Sequence, residues 1–111
     1  MPKRAVIYVR TYPGQSPDDP TFTHQRTVAD AYCVRNGYEI VSTYEDIGKS
    51  AYDERPRFAQ MLEDARAGKF DTIVVFQEDR LYRGEDQAMQ TIDELVKGGV
   101  VTIEEVVEGH E

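Results

Sequence analysis

The chain has 111 residues, 40% of them hydrophobic, which suits one domain with its own core and leaves no room for two. Its 13 Lys and Arg stand against 21 Asp and Glu, a net charge of −8. A nucleic-acid duplex would repel such a domain at long range unless a local basic patch or another domain brought them together. No apolar run nears the roughly 20 residues that span a bilayer. The start, Met1-Pro2-Lys3-Arg4, leads straight into a strand-like segment without the apolar core of a signal peptide. Cys33 is the single cysteine, which leaves no internal disulfide and no multi-cysteine metal site. These features predict a cytoplasmic protein with no membrane segment.

Residues 3–9 (KRAVIYV) are rich in β-branched and aromatic side chains, the composition of a strand buried on both faces. Residues 10–22 carry Pro13, Gly14, Pro17 and Pro20, a density that predicts a break with neither helix nor central strand. Thr23 can cap a helix over residues 24–36, with Gly37 just past its end. Residues 38–44 read as a second strand and residues 46–54 as a polar loop containing Gly48. Pro56 suits a first helical turn, and Phe58, Met61, Leu62 and Ala65 follow the stripe of an amphipathic helix ending at Gly68. Residues 70–76 hold the apolar run TIVVF, a third strand. A charged loop over residues 77–84 leads to a helix with Ala88, Ile92, Leu95 and Val96 on its inner face, ended by Gly98 and Gly99. Residues 100–107 open as a fourth strand.

Strands alternating with helices imply an α/β fold of three layers: a mostly parallel four-stranded sheet, helices on both faces, right-handed crossovers, one domain over residues 1–111. Ligands of such sheets sit at the carboxyl ends of the strands, here the loops over residues 10–22, 46–55 and 77–84. Those loops hold Arg10, Arg55, Arg80 and Arg83, the last two beside Asp79. Guanidinium forks bind phosphate oxygens in pairs and keep their charge at any pH. Four of them converging would suit a phosphate that gains charge in a transition state. Loop arginines that face water and pair with nearby acids are the competing reading, and residue types alone leave both open.

The segments RAVIYVR, HQR, DIGKSAYDERPRFAQML, GKFDTIVVF and EDRLYR resemble, in family order, the catalytic domain of serine recombinases, the resolvase and invertase family. Asp79-Arg80-Leu81-Tyr82-Arg83 matches the signature Asp-Arg-Leu-x-Arg, and Asp46-x-Gly48-x-Ser50 followed by Arg55 is the next most specific match. The resemblance implies cleavage of DNA by a serine hydroxyl, giving a 5′-phosphoserine and a free 3′ hydroxyl, with no metal and no cofactor. By position, Arg10, Arg55, Arg80 and Arg83 would cradle the scissile phosphate. Asp79 would orient them or help protonate the leaving oxygen, and Gln25 would support the active-site loop. Positioning and charge neutralisation are what phosphoryl transfer needs most.

The family's first motif is Tyr-x-Arg-x-Ser, and here it reads Tyr8-Val9-Arg10-Thr11-Tyr12. Tyr12 therefore stands at the nucleophile position. Three outcomes are open: cleavage is lost, Tyr12 itself attacks, or Thr11 or Ser16 substitutes. The first is favoured, because a phenol holds its oxygen several ångströms farther from the backbone, and a shift of about 1 Å can cost ~10²-fold. Thr11 would point to the opposite face of a continuing strand, and Ser16 lies in the proline-rich loop. Up to Glu111 the sequence shows neither the family's long dimerisation helix nor its basic DNA-reading domain, which leaves open an excised fragment or a short natural product. DNA would then be met through a missing domain or a partner protein, in a homo- or hetero-oligomer with recombinase-like chains.

The alternative function is a non-catalytic module that pairs with and regulates an active recombinase. A doubly wound nucleotide-binding domain is disfavoured, since no glycine-rich phosphate loop follows the first strand. Elsewhere, Cys33 reads as a small helix-face residue, His24 as exposed at a helix start, and Asp71 as bordering the third strand. Tyr8, Tyr38 and Phe76 read as core or strand-face residues rather than platforms for bases.

Overall fold

The strand β1 (Arg4–Arg10) occupies the middle of the sheet and is buried from Ala5 through Arg10. In a computed structural model, the described residues are 3–10, 20–46, 56–75 and 87–106, with the backbone alone described at residues 20–22 and 87–89. On one side of β1 lies β2 (Glu39–Asp46); on the other lies β3 (Thr72–Val75), followed by the edge strand β4 (Thr102–Glu105). All three pairings are parallel, in the order β2-β1-β3-β4. A central strand covered on both faces has no solvent side, which is why its apolar run is continuous rather than alternating.

Alternation of side chains along β1 divides the core in two. Val6 and Tyr8 join Tyr44, Ile73 and Val75 beneath the helices α2 (Pro56–Arg66) and α3 (Gln87–Lys97), which contribute Phe58, Met61, Leu62, Ala65, Ile92 and Leu95. Ala5, Ile7 and Val9 join Val74 on the opposite face, against Ala29 and Cys33 of α1 (Pro20–Arg35). The three-layer parallel architecture expected from the element order is the one formed.

Boundaries differ in ways that have physical causes. The helix α1 begins at Pro20, three residues before the expected cap at Thr23. Proline costs nothing in a first turn, where its missing N–H would have no helical partner, so Pro20 opens the helix instead of prolonging the break. His24 consequently sits in the second turn, exposed. The C-terminal end is as expected: Gly37 takes φ +73°, and Tyr38 N–H reaches back to the Cys33 carbonyl at 2.9 Å.

The strand β2 runs on past Tyr44 to Asp46, because its ladder with β1 continues to the pair Arg10–Asp46. β3 and β4 are shorter than the segments expected, covering four residues each. Val96, placed by sequence on the inner face of α3, is 40% exposed, and Ile92 and Leu95 carry the buried stripe. The Ala88 side chain and Phe76 fall outside the described residues.

Candidate functional site at the carboxyl ends of the strands

Arg10 closes β1 and is fully buried at 0% exposure. Removing a guanidinium from water is expensive unless its charge and its donors are matched. The reading in which the loop arginines simply face water therefore does not hold for Arg10.

Gln25 arrives from α1 and is buried as well, at 1% exposure. Its Nε2 donates to the Arg10 carbonyl at 3.4 Å, a long bond. Among the described residues its Oε1 is buried without a hydrogen-bond partner. A buried acceptor left unmatched costs about 1–3 kcal/mol.

Asp46, at the end of β2, stands beside Arg10 in the parallel register and is buried. Its Oδ2 accepts the Tyr8 hydroxyl at 2.8 Å and the Phe58 amide at 3.0 Å, and its Oδ1 accepts the Arg57 amide at 3.2 Å. Pro56, the first residue of α2, has no N–H, so Arg57 and Phe58 carry the first free amides of that helix. A carboxylate there both satisfies orphan donors and meets the positive end of the helix dipole. The Tyr8 ring packs edge-on against Phe58, centroids 5.5 Å apart at 68°. Tyr8, Asp46 and Phe58 thus form a closed triangle of contacts across β1, β2 and α2.

Of the residues singled out from sequence, Arg10 and Gln25 are brought together. Tyr12, Arg55, Asp79, Arg80 and Arg83 lie outside the described residues, as do Thr11 and Ser16. Sequence reasoning placed Tyr8 in the core and Asp46 inside a motif, giving neither a part in the site. The available signal was spacing: Tyr8 is two residues before Arg10, on the same face of the strand, and Asp46 ends a strand ahead of a helix that opens with proline.

Among the described residues no group of three His, Cys, Asp or Glu side chains is arranged to hold a metal ion. Nor is any helix among them long and apolar enough to cross a membrane. The Cys33 thiol is pushed up to about 11, first by burial and then by the nearby charges of Asp30 and Glu104. It is a packing residue, with almost no nucleophilic thiolate at neutral pH.

The sequence profile of the family described as Resolvase, N terminal domain matches residues 5–108. The chain belongs to the resolvase family of serine recombinases.

Solved structures agree with that membership. The resolvase domain is similar to a resolvase family site-specific recombinase from Streptococcus pneumoniae, at 27% identity and a TM-score of 0.80, over 97% of this chain and 74% of the other. It is similar to the C-terminal catalytic domain of ISC1926 TnpA, an IS607-like serine recombinase, at 26% identity and a TM-score of 0.79, over 97% and 70% of the two chains. The N-terminal catalytic domain of TP901-1 integrase matches at 25% identity and a TM-score of 0.79, over 94% and 77%. No curated protein sequence matches the resolvase domain.

Proposed function

We propose that this chain is a serine-recombinase catalytic domain that keeps the phosphate-holding part of its site and has lost, or nearly lost, strand cleavage. The observation that carries the reading is Tyr12, two residues after Arg10, where the family's attacking serine stands. In the family reaction the serine Oγ bonds to phosphorus, the bond from phosphorus to the 3′ oxygen breaks, and that oxygen leaves as a hydroxyl after taking a proton. Arg10, Arg55, Arg80 and Arg83 would neutralise the phosphate, with Asp79 orienting them or serving the leaving oxygen and Gln25 supporting the loop. Burial of Arg10 and Gln25 at the carboxyl end of the central strand supports this assignment. A phenol in place of the alcohol would set the attacking oxygen several ångströms out of line, enough to remove near-attack geometry.

The test is covalent capture on nicked duplex DNA carrying a resolvase-type site. The native chain is expected to form no protease-sensitive protein–DNA adduct, and Tyr12→Ser is expected to form one. An adduct on the native chain would overturn the loss of cleavage.

A second reading is favoured by the net charge of −8. An acidic domain holds DNA poorly by itself, so this one would act by pairing with an active recombinase chain and regulating it, in a mixed oligomer. Co-purification with a full-length recombinase, together with altered cutting by that partner, would favour this reading over the first.

A further inference from the structure

Arg26 follows the buried Gln25 on α1, and a step of about 100° around the helix takes its side chain out of the core. That side chain is 47% exposed, and its Nη1 lies 3.2 Å from Glu45 Oε2. Glu45 pairs with Val9 in the parallel ladder, one step before Arg10 and Asp46. Val9 belongs to the core on the α1 side of the sheet. By alternation, Arg26 and Glu45 meet at the carboxyl end of the strands, on the face opposite to the Arg10 side chain. Thr23 and Thr27, both exposed, stand one helical turn apart on α1. With Arg26 and Asp30 they line an open hollow of about 220 Å³.

We propose that Thr23, Arg26 and Thr27 form a second anion site, which takes a DNA backbone phosphodiester flanking the phosphate assigned to Arg10, and that Glu45 is the counter-ion this phosphodiester displaces. The inference rests on the reading of the chain as a DNA-handling domain. An ion pair between half-exposed groups contributes little to stability, so it gives way readily to another anion. A guanidinium carries five N–H donors, more than one carboxylate takes. Arginine donors and threonine hydroxyls are the groups through which proteins hold the sugar-phosphate backbone. Phosphates follow one another along a strand every ~3.4 Å of duplex axis. A duplex that sets one phosphate at Arg10 therefore carries its neighbours across the same end of the sheet. Asp30 and Glu45 fix the class of anion: their charges repel a dianion about twice as strongly as a monoanion, which favours a phosphodiester over free phosphate.

Nuclear magnetic resonance of the native chain, titrated with a short DNA duplex, dimethyl phosphate or inorganic phosphate, reads weak binding residue by residue. The expected result is movement of the Arg26 Nε–Hε signal and of the Thr23 and Thr27 amides with duplex and with dimethyl phosphate, and less movement with inorganic phosphate. Equal movement with inorganic phosphate would reduce the hollow to an unselective anion site and overturn the assignment. Movement at Arg10 with none at Arg26, Thr23 and Thr27 would overturn this site and leave the proposed function standing. Movement at Arg26 with none at Arg10 would do the reverse, and no movement at either would end both. Titrations of Arg26→Ala at several salt concentrations are expected to show a salt slope lower by about 0.9, the loss of one phosphate contact. An unchanged slope would remove Arg26 from the interface. Glu45→Gln is expected to tighten duplex binding several-fold in the native background and less in Arg26→Ala, as for two coupled residues. An equal gain in both backgrounds would strike out the counter-ion role of Glu45.

Discussion

Tyr32 in α1 donates its hydroxyl to Glu104 in β4 at 2.5 Å, tying a helix on one face of the sheet to its edge strand across 72 positions of sequence. Tyr38 donates to the same carboxylate at 2.8 Å, and Lys3 Nζ lies 3.2 Å from it. The Lys3 ammonium also sits 5.5 Å above the Tyr38 ring. The edge strand β4 is only four residues long, and this cluster gives it an attachment beyond its ladder with β3.

That cluster makes stability depend on pH. Burial by itself would raise the Glu104 carboxyl, but the bonds from Tyr32, Tyr38 and Lys3 outweigh it and hold the group below its ordinary 4.5. A carboxylate whose folded value is depressed stabilises the fold fully above its ordinary value, and the contribution is lost as pH falls through the folded value. Asp64, lowered first by the Tyr44 hydrogen bond and then by Gln60, adds to the native slope in the same direction. The difference between native and Glu104→Gln isolates Glu104. Melting temperatures between about pH 3 and pH 7 are expected to show Glu104→Gln below the native chain at neutral pH, the gap closing toward acid. Parallel curves would refute the assignment.

Cys33 should behave as a protected thiol. Its value rises from 9.0 to about 11, so at neutral pH the folded chain holds roughly a hundredth of the thiolate of an ordinary cysteine. Labelling with a thiol reagent is expected to be at least about 100-fold slower in the native chain than in denaturant. Equal rates would mean that α1 opens far more readily than its packing implies.

Met61 is fully buried between α2 and the sheet, whereas Val34 on α1 is 73% exposed. Met61→Ala is expected to cost about 2–5 kcal/mol of unfolding free energy by lost burial and an unfilled cavity. Val34→Ala should fall within about 0.5 kcal/mol of the native chain. Urea unfolding of both variants checks the contrast.

Gly37 holds φ +73° with open space where a Cβ would go. Any penalty for a side chain there is conformational rather than steric contact with neighbours. Gly37→Ala is expected to destabilise by about 1–2 kcal/mol, and Gly37→Asn by less, since asparagine tolerates the left-handed region. Equal losses in the two variants would point to another cause.

Much of the architecture was written locally. The apolar run of β1, the Phe58, Met61, Leu62 and Ala65 stripe of α2, and the stop at Gly37 follow from side-chain periodicity and backbone freedom, which belong to each segment alone. From them came the element order, and from that order a parallel sheet between helices. The motifs around Arg10, Asp46 and Asp79 were likewise legible as residue patterns, and they carried the family.

Other features depend on which segments meet. Pro20 opens α1 because a first-turn proline needs no hydrogen bond, a fact hidden while the surrounding prolines read as one break. The order β2-β1-β3-β4 is a matter of pairing between distant strands. The contact of Gln25 with the Arg10 carbonyl exists because α1 meets the end of β1. The meeting of Tyr8 with Asp46, and of Tyr32 with Glu104, joins residues tens of positions apart. No local periodicity encodes such contacts: they arise when loop-closure entropy has been spent and the remaining polar groups must find partners in a dry interior.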